Sequence, residues 1–254
     1  MGNKLLQPRS WGGELISNIT EGQEMMRDIE HLGENIRDEY FRIASHYDRI
    51  IGPLVMPVRR GVCRVVLKHG FKKILDICCG TGSQCIMLRS LGFSVAGVDL
   101  SPAMLGVARQ NSRGQIPFHA ADAANLPFPD DSFDCAILSF ALHEKEEISR
   151  HRILAEAKRV LDPGGRIVFV DFEAPIGLLS RAAGGFVHLV ERCAGKRHYA
   201  NFLNYMRMGA LRGLLRVQGL LPTHERLYHF SNVALVVAAV SSNHLNCSSL
   251  GDFT

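Results

Sequence analysis

One run of the sequence narrows the possible folds more than any other: Ile74-Leu75-Asp76-Ile77-Cys78-Cys79-Gly80-Thr81-Gly82-Ser83. A short apolar stretch enters a Gly-x-Gly turn, and a helical pattern begins directly after it, over residues 83–91. Glycine accepts left-handed backbone and lets the main chain come close to a ligand. The start of the following helix offers unpaired N–H groups to a negative group. A Gly-x-Gly by itself is weak, and a tight turn without a ligand is the other reading of Gly80 and Gly82. Asp99 adds weight, because it ends the next strand-like run 19 residues after Gly80. That is about where an acid meets a ribose diol in nucleotide-binding α/β folds.

The rest of the chain alternates in the same way. Strand patterns at 73–78, 94–98, 116–120, 133–139 and 166–172 are separated by helical patterns at 83–91, 102–110 and 144–161. Ser101 is the expected N-cap of the second of these helices, with Pro102 at its first position. Near-continuous apolar strands in β-α units predict a parallel sheet covered by helices on both faces, an α/β fold with its ligand site at the carboxyl ends of the strands. Residues 1–70 read as a polar leader and a helical extension, and 71–254 as the α/β domain. Within that domain, 175–222 breaks the alternation. It reads as two helices, 176–193 and 199–218, inserted before a hairpin of 225–230 and 233–240.

Composition excludes several classes. The seven cysteines are odd in number, sit mostly in apolar runs and have no C-x-x-C pairing, so free thiols and no metal site are expected. A net charge of +4 is too small to imply a nucleic-acid partner. The chain shows neither a signal peptide nor a membrane-spanning run, which leaves a soluble cytoplasmic protein as the expectation. Gln84 and Cys85 stand where a dinucleotide fingerprint wants its third glycine, and no tyrosine has a lysine four residues later. Both facts argue against a nicotinamide oxidoreductase. Ser139-Phe140-Ala141-Leu142 likewise lacks the Pro-Pro-aromatic run of enzymes that methylate nucleic-acid bases.

Five stretches now carry a resemblance. Leu75-Asp76 with Cys79-Gly80-Thr81-Gly82, Val98-Asp99-Leu100-Ser101-Pro102-Ala103-Met104-Leu105, Ala121-Asp122-Ala123 with Leu126-Pro127-Phe128, Asp131-Ser132-Phe133-Asp134, and Arg159-Val160-Leu161-Asp162-Pro163-Gly164-Gly165 follow in order. Together they resemble the class I methyltransferases that use S-adenosylmethionine (SAM), of the type 11 kind. The pattern is most similar to the ubiquinone/menaquinone C-methyltransferases, as are Phe41-Arg42-Ile43-Ala44-Ser45-His46-Tyr47-Asp48 and Ser139-Phe140. The resemblance implies a Rossmann-like seven-stranded sheet with its last strand antiparallel, and a helical lid inserted at about 175–222. It implies SAM as cofactor, S-adenosylhomocysteine as product, and a small organic substrate.

Site residues follow from the same resemblance. Asp76, Gly80, Thr81 and Gly82 are expected around the amino-acid end of SAM, and Asp99 at its ribose hydroxyls. Leu100 and Met104 would pack on the adenine, although plain core packing also explains Met104. Asp122 would accept from the adenine amino group with Ala123 beside it, or else serve as a turn residue. Ser139 would lie under the methionine portion, and Tyr47 would close over it.

His143 is the candidate general base, since it follows the fourth strand where the acceptor should sit; capping the next helix or orienting Glu144 is the other reading. The quinone enzymes have Gly-Leu-Arg-Asn where this chain has Ala141-Leu142-His143-Glu144. The segment 175–222 carries seven basic residues and one acid, Glu191, among many apolar ones. Such a lid suits an acidic or lipophilic substrate or contact with a membrane surface, or it is simply a solvated basic face. His188, His198, Tyr199 and Tyr205 are candidate acceptor contacts. A SAM-binding regulatory module without catalysis is the alternative function.

Overall fold

The computed structural model of the chain describes residues 48–49 and 51–240. Tyr47, the polar leader and the tail after Val240 lie outside the described residues.

Seven strands form one sheet in the order β3-β2-β1-β4-β5-β7-β6. They are β1 (Lys73–Ile77), β2 (Ser94–Asp99), β3 (Phe118–Ala120), β4 (Phe133–Ser139), β5 (Leu161–Phe172), β6 (Leu220–Tyr228) and β7 (Val233–Val240). All neighbours pair in parallel except β7, which runs against both β5 and β6. The hairpin expected from the sequence is therefore present, with the last strand antiparallel. Its first strand begins earlier than the sequence pattern indicated, at Leu220, and the turn is made by His229, Phe230 and Ser231, all at positive φ.

Helices cover both faces, as the apolar strands require. On one side Ile74, Val95, Ile137, Val168 and Leu235 pack with α1 (Gly52–His69), α2 (Ser83–Ser90) and α3 (Pro102–Ser112). On the other, Leu75, Val98, Leu138 and Phe169 pack with α4 (Glu147–Arg159), α6 (Lys196–Arg207) and α7 (Ala210–Val217). Consecutive strand residues serve opposite cores, the period-2 rule of a pleated strand. Ser101 caps α3 by accepting from the Met104 N–H at 3.1 Å, with Pro102 opening the helix.

The inserted segment holds three helices rather than two: α5 (Leu178–Cys193), α6 and α7. The chain breaks at Gly209, whose φ is 93°, and α7 then folds back so tightly that a Cβ on Gly213 would lie 2.0 Å from the Met208 carbonyl oxygen. Leu211, Leu214 and Leu215 are buried against the sheet, so α7 belongs to the core. By contrast, Leu178, Leu179, Phe186 and Leu189 on α5 are exposed.

The sheet order places the functional region. β1 connects onward to β2 on one side while β4 lies on its other side, so the switch in strand order falls between β1 and β4. Loops leaving the carboxyl ends of those two strands diverge and open a crevice there.

Candidate active site

At the end of β1 the chain turns through Cys78, Gly80 and Gly82, with φ of 60°, 55° and 71°. The Cys79 N–H anchors the turn to the Val98 carbonyl of β2 at 2.9 Å. The two glycines are needed for different reasons. A Cβ on Gly82 would lie 2.7 Å from Phe118, so bulk is excluded there by the protein itself. A Cβ on Gly80 would meet nothing, so the space above it is open.

Asp99, half-buried at the end of β2, ties this turn to the next loop. One carboxylate oxygen accepts from the Gly80 N–H at 2.7 Å and the other from the Ser101 N–H at 2.9 Å. Burial raises its pKa, against the pull of those two N–H groups. Each oxygen keeps a lone pair for a ligand hydroxyl. Asp76 is buried on the α2 side of β1, where the Cys85 thiol donates to it at 3.2 Å. Burial pushes its pKa up to about 7. Thr81, between the two glycines of the turn, is also buried, its hydroxyl 3.3 Å from that of Ser83.

The structure gathers the other expected residues along the same edge. Leu100 is exposed at the end of β2, and Met104 is buried in the first turn of α3. Asp122 follows β3, is exposed, and accepts from the Ala124 N–H at 2.9 Å; Ala123 beside it is buried. Ser139 closes β4, half-buried.

A second set of residues lies past the end of β4. Asp171, buried near the end of β5, pins the loop that carries His143. Its Oδ2 accepts from the Leu142 and His143 N–H groups at 3.0 and 3.3 Å, and its Oδ1 meets His143 Nδ1 at 2.7 Å. A carboxylate only accepts, so Nδ1 carries the proton. The other ring nitrogen, Nε2, faces Glu191 of α5 at 3.5 Å. Burial opposes charge on this ring, but Asp171, Glu191 and Glu144 outweigh it and raise its pKa.

Glu191 in turn bonds His198 Nε2 at 2.6 Å, and His198 Nδ1 faces Glu144 at 3.6 Å. The remaining oxygen of Glu144 holds Lys145 at 2.6 Å. Burial opposes charge on Lys145 as well, and Glu144 overcomes it, keeping that ammonium charged. Lys145 and Glu144 also act electrostatically on Asp99 and Cys78, so the two sets of residues meet at this pair.

Aromatic rings close the second set: Phe172 lies 4.8 Å from His143 edge-on, and Phe140 and Phe202 pack on Phe172. Arg150, fully buried, fixes the frame. It donates to the Leu142 carbonyl, the Asn204 side chain and the Asn201 carbonyl at 2.8–2.9 Å, and its guanidinium lies over Tyr205.

Of the candidate acceptor contacts, His198 joins the cluster directly. Tyr205 lies buried beneath it, donating to the Phe172 carbonyl at 3.1 Å. His188 and Tyr199 pair with each other at 3.2 Å. Sequence reasoning missed Asp171, Lys145 and Arg150. Asp171 had a usable signal, as the only acid within the apolar run of residues 167–172. Glu191 had one too, as the lone acid of the basic segment.

A family model described as a methyltransferase domain matches residues 75–169. The chain is 34% identical over 164 residues to a demethylmenaquinone methyltransferase of Deinococcus radiodurans, covering 61% of this chain and 67% of that one. It is 36% identical over 193 residues to a demethylmenaquinone methyltransferase of Clavibacter sepedonicus, covering 70% and 78%. Several other curated relatives are matched over 59–64% of their length.

Among solved structures, an O-methyltransferase family protein of Burkholderia thailandensis shares the fold with a TM-score of 0.61 at 20% identity, over 89% of this chain and 72% of that one. Magnesium protoporphyrin IX methyltransferase of Synechocystis, solved with S-adenosylhomocysteine, does so with 0.54 at 21%, over 73% and 83%. With relatives at 34% and 36% identity covered over 67% and 78% of their length, the chain belongs to the class I SAM-dependent methyltransferase family.

Proposed function

We propose that this methyltransferase acts on a small, lipophilic, quinol-like acceptor, placed over His143 at the ends of β4 and β5. The observation that carries the reading is the pairing of an aromatic wall (Phe140, Phe172, Phe202) with a carboxylate-held imidazole. Flat apolar rings suit a flat apolar acceptor. The curated relatives named above act on demethylmenaquinone, a molecule of that kind.

The cofactor end fits SAM. The open space above Gly80 is a cradle that a side chain would fill, and Asp76 is a buried carboxylate with a thiol as partner, suited to an ammonium group. In this reading Asp76 pairs with the amino group of the methionine portion, while Gly80, Thr81 and Gly82 let the backbone approach it. Asp99 receives the ribose hydroxyls without giving up its hold on Gly80 and Ser101. Leu100 and Met104 flank the adenine, Asp122 accepts from the adenine amino group beside Ala123, and Ser139 lies under the methionine chain.

Bound SAM supplies an electrophilic methyl on a sulfonium, so the protein's work is placement and proton removal. The acceptor's hydroxyl proton leaves into the cluster of His143, Glu191, His198 and Glu144. His143 is the candidate catalytic base, with Asp171 fixing its tautomer and angle.

The test uses purified protein, SAM with a labelled methyl and a reduced short-chain demethylnaphthoquinol. Labelled methylated quinol in the organic phase, matched by S-adenosylhomocysteine, is the expected result. No labelled quinol from protein that binds S-adenosylhomocysteine would sink the acceptor assignment.

A further inference from the structure

We propose that His143, Glu144 and His198 bind one divalent first-row transition-metal ion. One donor atom from each lies within 4.8 Å of the others. Closeness alone would carry little, but the two imidazoles are also oriented for the purpose. Each has one ring nitrogen taken by a buried carboxylate: His143 Nδ1 by Asp171 at 2.7 Å and His198 Nε2 by Glu191 at 2.6 Å. Metal-bound histidines are typically held in this manner, the outer carboxylate fixing the ring and raising its basicity. The second nitrogens are His143 Nε2, which lies 3.5 Å from Glu191, and His198 Nδ1.

In neutral His198 that second nitrogen carries a lone pair, and it faces a carboxylate oxygen of Glu144 across 3.6 Å. The other Glu144 oxygen stays with Lys145.

The donors also sit on a braced frame. The Asn201 side chain of α6 donates to the Glu144 carbonyl at 2.8 Å, and Arg150 donates to the Asn201 carbonyl at 2.8 Å. These bonds tie the loop after β4 to the helix bearing His198, so the gap between the ligand-bearing segments is set by the fold. A tetrahedral ion with bonds of about 2.1 Å spaces its ligands by roughly 3.4 Å. Small rotations of the Glu144 carboxylate and the His198 ring close the difference.

Two imidazoles and one carboxylate suit Zn²⁺, Fe²⁺ or Mn²⁺ better than Mg²⁺ or Ca²⁺, which favour all-oxygen sets. Three protein ligands leave coordination positions open, as in catalytic rather than structural sites. The inference rests on the acceptor reading given above and deepens it. An acceptor hydroxyl on the open position would have its pKa lowered by the ion. With Nδ1–H on Asp171 and Nε2 on the metal, His143 would then serve as a ligand in place of the base, its Nε2 proton released to solvent on metal binding, and the acceptor's proton would leave to solvent.

The test uses the full chain after chelator treatment, titrated calorimetrically with Zn²⁺ alone, with Co²⁺ as a spectroscopic probe. One Zn²⁺ per chain is expected, bound at least about tenfold more weakly by H198A and by the near-isosteric E144Q, and about tenfold more weakly by E191Q. Co²⁺ should give ligand-field bands in the wild type that are lost in H198A. Binding of S-adenosylhomocysteine checks that each variant is folded, and E144Q serves if H198A is not.

Zn²⁺ binding well below one per chain, or binding unchanged in both E144Q and H198A, overturns the site. Labelled methyl transfer to the quinol is read on the same preparations. Protein that methylates the quinol but binds no Zn²⁺ overturns the metal site alone. Protein that binds Zn²⁺ here but labels no quinol overturns the acceptor reading alone.

Discussion

The Asp171 carboxylate holds the His143 ring at 2.7 Å and, with its other oxygen, the backbone of the loop that carries His143. Loop position and ring orientation therefore depend on one buried side chain from the neighbouring strand. Asp171→Asn keeps the shape but replaces an acceptor with a donor. We expect a loss of stability of about 1–3 kcal/mol, from polar groups left unpaired. Methyl transfer should fall at least tenfold while affinity for S-adenosylhomocysteine changes little. Denaturant unfolding and labelled turnover check both, and undiminished turnover would remove the pair from the mechanism.

The two turn glycines should separate folding from binding. Gly82→Ala sets a Cβ 2.7 Å from Phe118 on a left-handed backbone, so the main loss should be stability, by about 1–3 kcal/mol or more. Gly80→Ala meets no protein atom and carries only the backbone cost, on the order of 1 kcal/mol. Its new methyl enters the cofactor cradle, so affinity for S-adenosylhomocysteine should drop more than tenfold. Thermal unfolding and calorimetric titration of both variants give the comparison; equal affinities would refute the placement of the cofactor above Gly80.

Asp99→Ala removes the acceptor shared by the Gly80 and Ser101 N–H groups. A charge-assisted hydrogen bond contributes about 1.5–3 kcal/mol. Affinity for S-adenosylhomocysteine should therefore fall by about 10- to 100-fold. Asp99→Asn, which keeps one oxygen, should fall less. If both variants bind as the wild type does, Asp99 does not meet the ribose.

Asp76 gives a pH prediction with a definite sign. Burial raises its pKa to about 7 in the folded chain, above the ordinary aspartate value near 3.8. Between those values the folded chain holds a proton that the unfolded chain has lost. This contribution to stability is full below about 4 and is lost as the pH rises through about 7. Relative to Asp76→Asn, the wild type should thus lose stability between pH 5 and pH 8 (both round choices about the midpoint). The cofactor's ammonium prefers the ionised form, so SAM affinity should strengthen over the same interval and should not do so in the Asn variant. Denaturant midpoints and calorimetry at several pH values provide the check.

Much of the glycine-turn region was legible from residues alone. A strand, a Gly-x-Gly turn and a helix are local in sequence, and Asp99 follows one β-α unit later, so their chemistry is set by short-range geometry. Ser101 and Pro102 marked the start of α3 for the same reason. The inserted segment was harder. An apolar period of 3.6 does not distinguish one long helix from two short ones, and the break at Gly209 is fixed by the return of α7 onto the sheet.

By itself, then, the sequence determined the alternating α/β layout, the sheet's antiparallel last strand through its resemblance, and the glycine turn at the end of β1. Only the tertiary structure decided the chemistry around His143. Its partners arrive from β5, α5 and α6, far apart along the chain; an acid such as Asp171 or Glu191 stands out in its own run, but the run does not say which residue it meets. Packing brings these charges together in a buried space, where low polarity strengthens each pair and fixes ring orientation and protonation. Those properties belong to the assembled cluster, because each residue's charge state depends on partners that only the fold supplies.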